Sequence, residues 1–165
     1  MMNTEKKFEK PIDVFKKLNV LFYTILGGMF LFLIVALLIQ QPARNFDAPS
    51  PNIIAQYILV ILMIVGISGA YIVYIIGTKK VTNKTHLVTK VNSFYKYTLT
   101  KLLLFKFAGI MGLIGYIMTA VPLYLTIGFV VIMLLFLHKP SLRRLAVEYK
   151  LTQKERDIIT SNKPF

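Results

Sequence analysis

Cysteine and tryptophan are absent from this 165-residue chain, and acidic residues are scarce, with seven Asp or Glu against 20 Lys or Arg. Without cysteine the chain cannot form disulfides, use a thiol nucleophile, or hold zinc or an iron–sulfur cluster through thiolates. Only 16% of its residues are charged and 56% are hydrophobic, whereas about a quarter of a globular domain is charged. The net charge of +13 must therefore be separated from long uncharged stretches. This pattern excludes a disordered chain and is typical of a polytopic membrane protein.

Four long apolar runs predict membrane-spanning helices. A helix that crosses the roughly 30 Å hydrocarbon core needs about 20 largely apolar residues. The first two runs hold no charge, the third holds two lysines, and the fourth follows it almost at once, with Pro122 at the turn. We predict an all-α protein whose four spans form two hairpins, although the last two runs could instead be one long kinked helix. The predicted spans cover residues 18–39, 53–77, 99–120 and 121–138.

Three polar segments flank these spans, namely an N-terminal segment 1–17, a loop 78–98 and a basic tail 139–165. Ser50 before Pro51 predicts the start of the second span. The third helix is expected to begin near Lys84, with an apolar stripe lying on lipid headgroups or on a partner. The tail is expected to form short amphipathic helices, the second starting at a capping box over Thr152–Glu155. The acidic tail residues are expected to be solvated partners of nearby Lys and Arg.

Basic residues fall on one side of the predicted membrane. The three flanking segments hold 17 of them, whereas the loops on the other side hold only Arg44. Positive flanks stay cytoplasmic, so we predict a bacterial inner-membrane protein with both termini in the cytoplasm. No run of five or more basic residues is present, which disfavours nucleic acid as a partner. Anionic lipids are the predicted partners of Lys139, Arg143 and Arg144.

Small residues predict where the helices pack, because helices in lipid associate through close van der Waals contact. The third span carries the most of them and is predicted to be the central helix, facing span two or span one. A homodimer seam would have the same pattern. The similarity of residues 25–33 to 106–114 also leaves open a duplicated hairpin. The predicted packing residues are Gly66, Gly69 and Ala70 in span two, and Ala108, Gly109, Gly112 and Gly115 in span three.

Lys106 is predicted to be the one charge that lies well inside the membrane, about two turns into span three. An intramembrane charge is a functional-site hypothesis by default, but the side chain could also snorkel to the headgroups. Thr24, Tyr71 and Tyr74 lie at a similar depth and could hold the ammonium by hydrogen bonds or cation–π contacts.

Several functions are disfavoured by what the spans lack. They contain no Asp or Glu, and ion-coupled transport normally needs an intramembrane carboxylate. His86 and His138 do not form a mid-membrane pair for bis-His haem. No nucleophile elbow or HExxH sequence occurs, so we predict no enzymatic activity, no cofactor and no metal.

From the third span onward the chain resembles small uncharacterised four-helix inner-membrane proteins of Bacteroidetes-type bacteria. The resemblance rests on the close third–fourth hairpin and on KPSLRRLAVEYKLTQKER, residues Lys139–Arg156. It covers under half of the chain and implies a fold and a compartment but no activity. In such proteins a Glu is expected in the third span, where this sequence has Lys106.

The predicted function is that of a non-enzymatic membrane subunit or scaffold, because the sequence has helix-packing surfaces but no recognisable set of catalytic or cofactor-binding residues. Its predicted partners are other integral membrane proteins, or a second copy of itself, and anionic lipids. The alternative is a small transporter, channel or lipid-handling protein, as a monomer or a homodimer, with Lys106 facing an internal cavity.

Overall fold

The computed structural model describes residues 11–43, 53–81 and 86–161, and every regular element in these ranges is an α-helix. The all-α prediction is therefore confirmed for the described part of the chain. The predicted helix starts at Ser50 and Lys84 lie outside the described residues. The helices are α1 (Pro11–Ala43), α2 (Ile53–Val81), α3 (Leu87–Thr119), α4 (Pro122–Leu137), α5 (Leu142–Glu148) and α6 (Gln153–Thr160).

Three of these helices, α1, α2 and α3, are long and apolar enough to cross a membrane. At 1.5 Å per residue, the 16 residues of α4 extend only about 24 Å. The chain bends by 82° between α4 and α5, so the two together count at most as one broken span. The described residues thus contain three candidate spans, or up to four, which is typical of a membrane protein.

The turn between α3 and α4 is short. Ala120 ends α3 in the left-handed conformation, with φ 56°, and its N–H donates to the Tyr116 carbonyl. Pro122 then starts α4 at a position where its fixed φ suits a helix and its missing N–H costs no hydrogen bond. The structure therefore contains two separate helices here and not one kinked helix.

Helix α3 lies at the centre of the bundle. It contacts α1, α2 and α4 more extensively than those helices contact one another. The bundle core around it includes Phe22 of α1, Phe105 and Leu113 of α3, and Val131 of α4. The prediction of a central third span is therefore confirmed.

The small residues of α2 and α3 allow this close approach. A Cβ on Gly66 would lie 2.9 Å from the Cβ of Ala108 and 3.4 Å from the Leu104 carbonyl oxygen. A Cβ on Gly112 would lie 3.3 Å from the backbone nitrogen of Gly128 in α4. A Cβ on Gly109 would instead meet the flexible end of Met29. These residues are internal contacts of one chain. In contrast, Gly27 and Gly28 of α1 have no atom within 4 Å of the place a Cβ would occupy.

The remaining predicted packing residues differ in how closely they are approached. Gly115 faces the ring of Tyr124, and Ala70 is fully buried. Gly69 has only an ordinary contact with Leu104, at 3.9 Å.

Gly66→Leu is expected to lower the free energy of unfolding by about 1–3 kcal/mol, because the new side chain overlaps backbone as well as Ala108. Gly28→Leu is the matched control, since that position is open, and we expect a change within about 0.5 kcal/mol. Reversible unfolding in mixed detergent micelles measures both. Equal losses for the two variants would contradict the helix contact described.

A second core lies where the beginning of α1, the end of α2 and the beginning of α3 meet α5 and α6. We call it the end core. The apolar stripe of α3 predicted to lie on headgroups or a partner is instead covered in part by the chain's own tail, which corrects that expectation. The end core consists of Val14, Phe15, Leu18, Val81, Val91, Phe94, Leu145, Tyr149, Leu151 and Ile159.

Candidate functional site

A buried lysine sits between the bundle core and the end core. Lys101 of α3 is 5% exposed. Its Nζ lies 4.2 Å from the centroid of the Tyr74 ring, 5.1 Å from that of Tyr71 and 5.9 Å from that of Phe105. Three aromatic faces therefore replace much of the water that a lysine ammonium would have at the surface, and cation–π attraction is strongest for such desolvated cations.

Charged and polar groups from α2 and the tail complete this site. The Tyr74 hydroxyl donates a hydrogen bond to Glu148 of α5. Arg144, one turn earlier in α5, donates to the Leu137 carbonyl at 2.6 Å. The His138 ring packs edge-on against both Tyr71 and Phe105, each at 5.6 Å. We call this set the Lys101 cluster: Tyr71, Tyr74, Lys101, His138, Arg144 and Glu148.

Local sequence explains why α5 reaches this point. Pro140 interrupts the chain after α4, and the Ser141 side chain then caps α5 by accepting from the Arg144 N–H. An N-cap of this kind commonly contributes about 1 kcal/mol. The resulting turn directs α5 back across the end of the bundle, so that Glu148 meets Tyr74.

The space beside the cluster is small. A cavity of about 10 Å³ is lined by residues that include Tyr74, Thr98, Lys101 and Arg144, which is room for about one water molecule. The surroundings of Lys101 are therefore filled mainly by side chains of the same chain.

Lys106 was the lysine that the sequence singled out, and the structure assembles the predicted tyrosines around Lys101 instead. Lys106 is half-buried, one and a half turns further along α3. Thr24 is exposed, and its hydroxyl donates to the carbonyl of Val20 in its own helix. The structure thus brings Tyr71 and Tyr74 to a lysine five positions earlier than the one predicted. The functional role proposed for Lys106 stays a prediction.

A second polar contact joins the tail to α3. Lys90 Nζ lies 2.9 Å from Glu155 Oε1, and the two side chains are 8% and 13% exposed. Glu155 is also the capping-box residue of α6: its carboxylate accepts from the Thr152 N–H, and its own N–H donates to the Thr152 hydroxyl. The predicted capping box is therefore confirmed.

The acidic tail residues are not all solvated helix-surface partners, which corrects that expectation. Glu148 reaches Tyr74 and Glu155 reaches Lys90, both across elements. Burial alone would raise the pKa of Glu155, but the hydrogen bonds from Lys90 and Thr152 and the positive charge of Lys90 hold it below its ordinary value. Glu155 is therefore ionised in the folded protein at neutral pH.

The three residues predicted to meet anionic lipids have different environments. Lys139 Nζ donates to the Tyr23 hydroxyl at 2.7 Å, and Arg144 belongs to the Lys101 cluster. Arg143 is exposed and lines a cavity between α5 and α6. The three do not form one patch of equivalent basic side chains.

No family model, curated protein or solved structure matches this chain. The resemblance to four-helix inner-membrane proteins stays a prediction. Within residues 11–43, 53–81 and 86–161, no group of three His, Cys, Asp or Glu side chains could hold a metal ion. The Lys101 cluster is a network of cation–π contacts and hydrogen bonds, which holds the tail against the bundle.

Tyr74→Phe is expected to lower the free energy of unfolding by about 1–3 kcal/mol, because Glu148 loses a donor in a partly buried place. Tyr71→Phe is the matched control, since its hydroxyl takes no part in the Glu148 contact, and we expect a change within about 0.5 kcal/mol. Detergent-micelle unfolding of both variants measures the difference. A Tyr74→Phe variant as stable as Tyr71→Phe would show that the Glu148 contact is absent in solution.

Proposed function

We propose that this protein is a non-enzymatic subunit or scaffold of a larger complex in a bacterial inner membrane. The observation that carries the proposal is that the buried lysines among the described residues, Lys90 and Lys101, are engaged by side chains of the same chain. Lys101 is enclosed by its own tyrosines, Tyr74 is bonded to Glu148, and Lys90 is paired with Glu155. The cavity beside Lys101 measures only about 10 Å³, so these polar residues stabilise the fold. We therefore assign the binding of partners to the outer surface.

The outer surface offers faces on which other helices could pack. Large apolar side chains of α1 and α2 point outward, including Leu31 at 67% exposure and Val65 at 61%. On α1 the open positions at Gly27 and Gly28 would let a neighbouring backbone approach closely, as small residues do at helix contacts in lipid. These features support association with other integral membrane proteins.

The arrangement we propose has four spans in two hairpins, with both termini and the end core on the cytoplasmic side. The support is the distribution of charge, because 17 of the 20 basic residues flank the spans on that one side and positive flanks stay cytoplasmic. In this arrangement α4 crosses the membrane and α5 turns to lie against its surface.

The interior supports a subunit more than the alternative of a transporter or channel. A transporter binds its cargo at polar groups inside the bundle near the midplane. Here the buried cation, Lys101, is engaged by side chains of the same chain. The proposal predicts that substitutions of exposed α1 residues affect function more than substitution of Lys106.

Extraction from the native membrane in a mild detergent, followed by sizing and protein identification, tests the proposal. We expect the protein to elute well above its monomer mass together with at least one other membrane protein in fixed ratio. Gly28→Leu is expected to reduce that co-purification. Met133→Leu serves as control, because Met133 is 52% exposed on α4, away from the proposed faces of α1 and α2. A lone monomer of 18.9 kDa with no fixed companion would contradict the proposal.

A further inference from the structure

The tail helices enclose a groove that is separate from the Lys101 cluster and borders the end core, with which it shares Leu151 and Ile159. Its volume is about 250 Å³, slightly below the roughly 300–1,000 Å³ typical of small-ligand pockets. Leu142 of α5, Leu151 of the connection and Ile159 of α6 form apolar parts of its lining. We call it the α5–α6 groove.

Two arginines line the same groove. Arg143 comes from α5 and Arg156 from α6, and both are exposed. The acids nearest in sequence are engaged elsewhere: Glu148 with Tyr74, Glu155 with Lys90, and Asp157 with Gln153. Among the residues that the structure describes, neither arginine has a carboxylate within ion-pair distance. The groove therefore combines an apolar lining with two uncompensated guanidinium groups.

The groove also has a definite place relative to the spans. The chain bends by 82° between α4 and α5, so α5 runs nearly across the axis of α4. If α4 crosses the membrane, as we propose above, α5 lies roughly parallel to the membrane surface. Leu142, 44% exposed, begins α5 directly after this bend, which places an apolar edge of the groove toward the headgroup region.

We propose that the α5–α6 groove binds one anionic phospholipid of the cytoplasmic leaflet, with Arg143 and Arg156 on its phosphate. Guanidinium groups bind phosphate through paired hydrogen bonds, and the aliphatic lining suits the glycerol and first methylenes of a lipid. A free phosphate would use the arginines but leave the apolar lining wet. An acidic protein segment would need no such lining beside the charges. The inference rests on the proposed cytoplasmic placement of the tail.

The test measures lipid retained by the intact, detergent-purified protein, using native mass spectrometry after addition of phosphatidylglycerol. Arg143→Gln/Arg156→Gln is expected to reduce the retained lipid about tenfold or more, since charge-assisted contacts are lost. Lys79→Gln/Lys80→Gln removes the same charge from exposed positions at the end of α2 and is expected to change it less than about twofold. Arg143→Lys/Arg156→Lys is expected to fall between them, because lysine keeps the charge but not the paired geometry.

Two further arms identify the source of the anion. Phosphatidylcholine and glycerol phosphate are added in place of phosphatidylglycerol, and both are expected to bind at least about tenfold more weakly. Equal losses in the two glutamine variants, equal retention of phosphatidylcholine, binding of glycerol phosphate alone, or an acidic protein found in place of the lipid would each overturn the proposal. Co-purification of a membrane partner is a separate readout, so failure here is distinguishable from failure of the subunit role.

Discussion

Phe94→Ala is expected to detach the tail helices from the bundle while the apolar spans stay folded. Phe94 is 1% exposed, and its ring centroid lies 5.8 Å from Phe15 of α1 and 5.9 Å from Tyr149 at the end of α5. It is the middle ring of three that join α1, α3 and the tail. Truncating a buried phenylalanine costs about 3–5 kcal/mol, and little else in the end core could fill the space.

Limited trypsin digestion measures this detachment, because α5 and α6 carry most of the tail's basic residues. Since about 1.4 kcal/mol corresponds to a tenfold change in population, we expect tail cleavage to accelerate about 100-fold or more. Phe129→Ala is the control: Phe129 of α4 is 48% exposed and outside both cores. A Phe94→Ala protein whose tail is cut no faster than that of Phe129→Ala would show that the end core does not hold the tail.

Glu155→Leu is expected to be comparably damaging, for an electrostatic reason. It leaves the Lys90 ammonium, whose side chain is 8% exposed, without its carboxylate. Removing one partner of a buried ion pair typically costs about 3–5 kcal/mol, because the remaining charge is uncompensated. The same trypsin assay reports the loss, since the contact joins α6 to the start of α3.

The loss has a capping component that a second variant separates. Thr152→Ala removes the N-cap hydroxyl of α6 but leaves the ion pair, and is expected to cost about 1 kcal/mol. Adding Lys90→Met to Glu155→Leu is expected to recover much of the ion-pair loss, because replacing a buried pair by apolar residues is often neutral. A double variant as unstable as Glu155→Leu alone would mean that the unpaired lysine was not the cause.

The same pair predicts a dependence on pH. The pKa of Glu155 is lower in the folded protein than its ordinary value of 4.5, so its contribution to stability is fully present above that pH. This contribution is lost as pH falls below about 4.5 and through the lower folded-state pKa, because the carboxyl binds its proton more tightly in the unfolded protein than in the folded one. We expect tail release in this acid range in the wild type and a clearly weaker pH dependence in Lys90→Met/Glu155→Leu. Identical acid profiles for both would contradict the assignment.

Much of the helical architecture could be predicted from the sequence because apolar run length and small-residue spacing are local properties. The runs around α1, α2 and α3 are long enough to cross a membrane. The glycines of span three predicted a central helix, because residues as small as Gly112 and Gly115 let a neighbouring helix approach closely. The Thr152–Glu155 capping box was also predictable, because its partners are three residues apart.

The position of the buried lysine was not predicted correctly, for a physical reason. Depth along the chain singled out Lys106, but burial depends on which side of α3 a residue occupies. Lys101 lies within the buried face of the helix, three or four positions from Thr98 and Phe105, whereas Lys106 lies at the edge of that face and is half-buried. Helical periodicity within span three was the signal that could have distinguished the two lysines.

The folding of the tail onto the bundle could not be predicted, because its contacts join residues far apart in the chain. Glu148 meets Tyr74, and Glu155 meets Lys90. Each acid also has basic residues near it in sequence, which made a solvated helix surface the simpler expectation. Only the packing of α5 and α6 against α2 and α3 determines which partners the acids have.

Accessibility of single cysteines tests most directly the claim that this is a membrane protein with its basic flanks and tail on one side. The chain has no cysteine of its own, so Ser50→Cys, Lys80→Cys and Lys154→Cys each introduce a unique thiol. With a membrane-impermeant maleimide, we expect Ser50→Cys to react in intact cells, and the other two to react only in inverted vesicles or after permeabilisation. Reaction of Lys80→Cys or Lys154→Cys in intact cells, or of all three from the same side, would contradict the proposed arrangement.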